Sequence, residues 1–169
     1  MPVPPLAKRR TALLDQLAHL ADEVEALRQI VKVVPEPLLS GRPLPDDQSI
    51  KELYGWIAQQ DADVHRLRLD RLLAEDTPRV AEVDQAALLA ERNWNAEPID
   101  AILTTVQEER ARFVRFVQAI PATEWTRTLD LAETRYDVYA YLYGVIQANT
   151  ADLRMLGYRL NDSLSRARR

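Results

Sequence analysis

Six apolar residues near the start of the chain, Leu13, Leu17, Leu20, Val24, Leu27 and Val31, alternate spacings of four and three. That repeat places all six on one side of an α-helix, and it is the seam of a helix packed in a bundle or coiled coil. The helix begins near Leu6, just after Pro4-Pro5, and ends before Pro35. At ~1.5 Å per residue it is roughly 40 Å long. A single helix cannot bury its own stripe, so the rest of the chain has to supply partners.

Three further stripes do so. Ser49 and Glu52 form a capping box that opens a second helix running to about Ala74. Ile50, Leu53, Ile57, Val64 and Leu67 make its inner face, with Trp56 beside Ile57. A third helix starts near Asn95, with Pro98 in its first turn, and ends at Pro121. Its stripe is Ile99, Leu103, Val106, Phe113, Val117 and Ile120, while Glu108, Glu109, Arg110, Arg112 and Arg115 read as an outer face of ion pairs. A capping pattern over Thr134–Asp137 introduces a fourth helix, about Arg135 to Leu164, with Val138, Leu142, Val145, Leu156 and Leu160 inward. Asn149 and Asp152 interrupt that stripe. A buried lone carboxylate costs several kcal/mol, roughly, so Asp152 needs a partner, an ion or solvent.

The connectors are proline-rich and cannot continue the helices. Pro35 to Gln48 carries Leu38, Leu39 and Leu44, which suggests a segment laid against the bundle. The second has a short helix over Asp84–Arg92, and Trp94 plugs one end of the core. The third is PATEWTRTLDLAE. Four amphipathic helices and three long connectors predict an all-α four-helix bundle, one domain over residues 1–169.

Chemistry is narrowed by what the chain lacks. With no cysteine there is no disulfide, thiolate ligand or thiol nucleophile. A net charge of −4 argues against nucleic acid as a partner. Lys8-Arg9-Arg10 and Arg166 to Arg169 read as solvated ends. No apolar run approaches the roughly 20 residues of a membrane span, and the first residues have no signal-peptide core, so a cytoplasmic location is expected. His19 reads as a packed or surface residue. Asp61 and His65, four apart, share a face and read as an exposed polar pair, whereas Asp61 and Asp63 diverge by about 200°. Neither histidine sits in a Glu-x-x-His motif of the ferritin type, and the four isolated glycines build no phosphate loop.

Three stretches carry a resemblance. They are SIKELYGWIAQQDADVHRLRLDRLL, RVAEVDQAALLAERNWNAEPIDAILTTVQEERARFVRFVQAIPATEW and ETRYDVYAYLYGVIQANTADLRMLGYRL. Together they span nearly the whole chain, and they resemble the DinB-like superfamily of four-helix bundles, with its YfiT, ClbS/DfsB and maleylpyruvate isomerase groups. The resemblance implies a nickel or zinc ion held by three histidines, one on the second helix and two on the fourth. Carried over residue by residue, those positions fall on Trp56, Ala148 and Asp152. Indole and methyl groups offer no lone pair to a metal, so no metal and no cofactor are expected.

Two functions follow as expectations. One is a metal-free module that binds a small molecule or a protein partner, its pocket lined by Trp56, Gln60, Tyr143, Asn149 and Asp152. The other is a metal-independent thiol transferase or small-molecule hydrolase, with Asp152 as the catalytic base and Trp56 as a stacking wall. The resemblance also implies a homodimer through the bundle helices.

Overall fold

In the computed structural model, which describes residues 6–167, α1 runs from Leu6 to Lys32 and buries Leu13, Leu17, Leu20, Val24 and Val31. Arg168 and Arg169 of the C-terminal basic cluster lie outside the described residues. At the other end Arg10 is not simply solvated: its Nη2 donates to the carbonyl oxygens of Gln118 and Ile120, at 2.6 and 3.0 Å. The short α2 (Glu36–Ser40) buries Leu39, but Leu44 is exposed, so only the first half of that connector lies against the bundle.

Ser49 caps α3 (Ile50–Gln59) as the sequence implies. Its hydroxyl accepts from the Glu52 amide at 3.1 Å, and the Glu52 carboxylate accepts from the Ser49 amide at 2.8 Å. The helix continues through a π turn, Gln60–His65, into α4 (Arg66–Ala74). A π turn closes i→i+5 hydrogen bonds and so inserts extra residue length into the helical repeat. The buried face therefore passes to Leu69 and Leu72, and Leu67 points to solvent, which corrects the expected stripe.

Trp94 is buried in a 3-10 turn, Trp94–Ala96, between α5 (Gln85–Ala90) and α6 (Ile99–Ala119). Its indole N–H donates to Gln59 Oε1 at 2.8 Å, and its ring presses on Gly55. A β-carbon at position 55 would stand 2.2 Å from Trp94 Cδ2. Gly55→Ala is therefore expected to cost about 2–3 kcal/mol of stability through overpacking. A thermal midpoint equal to wild type would contradict that seating of Trp94.

Asn95 does not cap α6. It accepts a hydrogen bond from the Ser49 hydroxyl at 2.6 Å, and Pro98 precedes the first helical residue. The third connector and the expected start of the fourth helix form a small sheet instead. β1 (Arg79–Val80) pairs in parallel with β2 (Thr128–Leu131), which pairs antiparallel with β3 (Thr134–Asp137). Ala132 and Glu133 close this hairpin with φ of 47° and 64°, as mirror-image tight turns require. α7 (Val138–Ala167) begins only after it, where Asp137 Oδ1 accepts from the Ala140 amide at 2.7 Å.

Among the described residues the interior has two apolar cores. One gathers Leu20, Val24, Leu53, Tyr54, Trp56, Ile57, Trp94, Leu103, Val106, Leu156 and Leu160. The other gathers Leu13, Leu17, Leu69, Leu72, Phe113, Val117, Trp125, Leu142 and Val145. Each long helix contributes to both. On the second, third and fourth bundle helices the passage from one core to the other falls at a buried polar residue: Asp61, Arg110 and Asn149.

Candidate functional site

These three residues meet in a polar layer between the cores. The π turn carries Asp61 and His65 inward, so neither belongs to the exposed pair that the sequence suggested; they are 1% and 7% exposed. Arg110, expected on the outer face of its helix, is likewise 1% exposed. It continues the buried stripe Leu103, Val106, Phe113 and Val117 at helical spacing, and that spacing is the signal that places it inside.

Arg110 Nε lies 2.8 Å from Asp61 Oδ2, and its Nη2 donates to Asn149 Oδ1 at 2.6 Å. The Arg110–Asp61 contact is ionic in character, because the N–H is not aligned on the oxygen and both Asp61 oxygens lack a hydrogen-bond partner. Arginine only donates, so the Asn149 oxygen must face it, leaving the buried Asn149 Nδ2 without an acceptor. Below the ion pair, His65 Nδ1 is 2.9 Å from the Tyr141 hydroxyl.

Burial sets the charge states. It raises the Asp61 carboxyl above its ordinary value, with Arg110 opposing. Burial, then the nearby Arg110 and Arg68 cations, pushes His65 down to about 3, so its imidazole is neutral near pH 7. Burial also lifts Tyr141 above the usual phenol value, with Arg68 opposing.

A cleft of about 580 Å³ between α1 and α7 reaches this layer. Arg110, Asn149, Leu20, Ile146 and Leu153 are among its lining residues, and so are Tyr143, Asp15, His19 and Glu23. Of the five ligand-binding candidates from sequence, Tyr143 and Asn149 line this cleft. Trp56 instead belongs to the first apolar core, and Gln60 is buried with an unpartnered Oε1.

Asp152 is half-buried beyond Asn149 on α7. Its Oδ2 has no partner, and burial raises it from 3.8 to about 6. Such a carboxyl favours folding while protonated. Its contribution is whole below pH 3.8 and is lost as pH rises through about 6. Asp152→Asn is therefore expected to gain on the order of 2 kcal/mol at pH 8 and little at pH 4, by urea unfolding. A variant that parallels wild type across that range would place Asp152 in solvent.

The three positions carried over as metal ligands occupy different environments: Trp56 buried, Ala148 exposed and Asp152 between. Their donor chemistry does not suit a divalent ion, since only one carboxylate is available. Among the described residues, no three His, Asp or Glu side chains are grouped to hold a metal.

The architecture is a four-helix bundle with long connectors. The solved structure of YfiT from Bacillus subtilis, described as a probable metal-dependent hydrolase with an unusual four-helix bundle topology, is similar to it. The TM-score is 0.74 over 95% of this chain and 93% of that one, at 14% identity. At that identity the likeness is one of fold. No sequence-family model matches the chain, and neither does any curated protein sequence. No described helix is long and apolar enough to cross a membrane.

Proposed function

We propose that this chain is a metal-free member of its fold type that binds a small polar molecule in the cleft between α1 and α7. The observation that carries the reading is the arrangement of Arg110 and Asn149. They are buried, charged or polar, incompletely partnered, and part of the lining of a cleft large enough for a ligand. Buried polar groups normally have all their partners, and the exceptions gather where a ligand or water completes them.

Loss of metal chemistry belongs to the same reading. The positions that would carry the three ligands hold an indole, a methyl group and a single carboxylate. The metal-independent transferase or hydrolase, with Asp152 as base, has the raised Asp152 carboxyl in its favour. It is the weaker reading, because the indole meant to wall its substrate packs in the apolar core. A homodimer remains part of the proposal, with Tyr143, Met155 and Tyr158 exposed on α7 as candidate contacts. A one-chain mass in sedimentation would count against it.

The test is a thermal-shift screen of divalent metals, low-molecular-weight thiols, electrophiles and polar metabolites on wild type and Gln147→Trp. Gln147 is exposed and lines the cleft, so a tryptophan there fills it without touching the core. A stabilising compound that loses its effect in the variant supports the reading. Tight one-to-one zinc or nickel in the purified protein would overturn it.

A further inference from the structure

We infer that the cleft takes an amine whose far end carries a carboxylate or carbonyl group, with that acceptor inward and the ammonium at the mouth. The inference rests on the binding function proposed above and assigns the ligand its polarity. At the inner wall the groups left to a ligand are donors. Arg110 uses Nε toward Asp61 and Nη2 toward Asn149, and Nη1 makes neither contact. Asn149 Nδ2 is buried at the inner wall and has no acceptor among the described residues. Free donors on two residues that are themselves hydrogen-bonded to each other suit the two lone pairs of a carbonyl or the two oxygens of a carboxylate.

The mouth has the opposite sign. Asp15 and Glu23 line it on α1, and Arg110 is the only Lys or Arg among the described residues that line the cleft. His19 also lines the mouth, 3.5 Å from Glu23 and 3.9 Å from Asp22, so carboxylates outnumber the imidazole there. A simple anion is disfavoured by this balance. Asp61 already offsets the Arg110 charge from behind, so the inner wall attracts by hydrogen bonding more than by net charge, while the two carboxylates at the mouth repel a bare anion. An ammonium group turns that repulsion into attraction. Between the two ends, Leu20, Ile146 and Leu153 offer an apolar wall for a short hydrocarbon spacer.

The experiment follows backbone and side-chain amide shifts by NMR while 5-aminopentanoate, pentanoate, pentylamine and pentanamide are titrated separately. Wild type is compared with Asp15→Asn/Glu23→Gln, two changes at the cleft mouth that leave the buried layer intact. The expected result is that 5-aminopentanoate binds at least tenfold more tightly than pentanoate or pentanamide. It should move the Asn149 side-chain amide together with residues 15–23, and the double variant should lose that advantage. Equal affinity of 5-aminopentanoate and pentanamide overturns the inferred polarity while leaving a binding cleft in place. An advantage that survives in the double variant also overturns it, as does 5-aminopentanoate leaving the Asn149 amide unmoved. Whether the cleft binds small molecules at all is decided separately by the Gln147→Trp screen.

Discussion

Arg110→Met is expected to lower folding stability by about 3–5 kcal/mol at pH 7, because it strands the Asp61 carboxylate in the interior. Asp61 is fully enclosed, and without the guanidinium the described structure offers it no other cation within contact. Asn149 would lose its donor as well. The double variant Asp61→Leu/Arg110→Met is expected to recover much of the loss, since replacing a buried ion pair with packed apolar groups is often neutral or stabilising. The deficit of the single variant should also depend on pH. Burial already raises the folded Asp61 value, and removing the cation raises it further. A carboxyl with a raised folded value is most favourable while protonated, so the deficit should shrink as pH falls toward 4. Urea unfolding at several pH values measures both effects. A loss below about 1 kcal/mol would mean that solvent already reaches the pair.

The second large effect appears in acid. His65 is neutral in the folded protein down to about 3, whereas the unfolded chain takes up its proton near 6.5. A group with a depressed folded value gives its full stability above the unfolded value and loses it as pH falls through the folded one. Between pH 7 and 3 this amounts to a loss on the order of 4 kcal/mol. Asp61 and Asp152, both raised, act in the opposite direction over part of the same range and hide some of the loss. Comparison with His65→Asn isolates the histidine, because an asparagine nitrogen or oxygen can take the place of Nδ1 against Tyr141. Wild type should lose that stability relative to His65→Asn on acidification. If the two pH–stability curves run parallel, the imidazole charges without unfolding the protein and its burial is not maintained in solution.

The helices were legible because their stripes are regular and their caps explicit; Ser49, Glu52 and the leucine seam of α1 each point to the same structure. The polar layer was not, and the reason differs at each residue. The charge of Arg110 among other charged residues points to solvent, although its interval from Val106 and Phe113 belongs to the buried stripe. Burial followed helical phase because Asp61 supplies the opposite charge from another helix, which no local pattern reveals. A regular helix through Gln60–His65 leaves Asp61 and His65 on an exposed face, whereas the π turn there rotates the helix and buries both. The hairpin over Thr128–Asp137 carries no clear sequence signal, because Ala132-Glu133 is an unusual pair for a turn in which both residues take positive φ. Trp56 stands at a position that the resemblance makes a ligand, yet its side chain is a core residue and the polar groups lie one helical turn farther on.

The polar layer also acts as a ruler for the assembled helices. Leucine and valine stripes tolerate sliding, since one apolar ridge fits a groove about as well as the next. A carboxylate, a guanidinium and an amide drawn from three helices can meet at only one alignment, and a shift of α6 or α7 by one turn would strand each of them in hydrocarbon. Asp61, Arg110 and Asn149 thus hold the second, third and fourth bundle helices to one longitudinal setting. In that setting two of the three, Arg110 and Asn149, face the α1–α7 cleft.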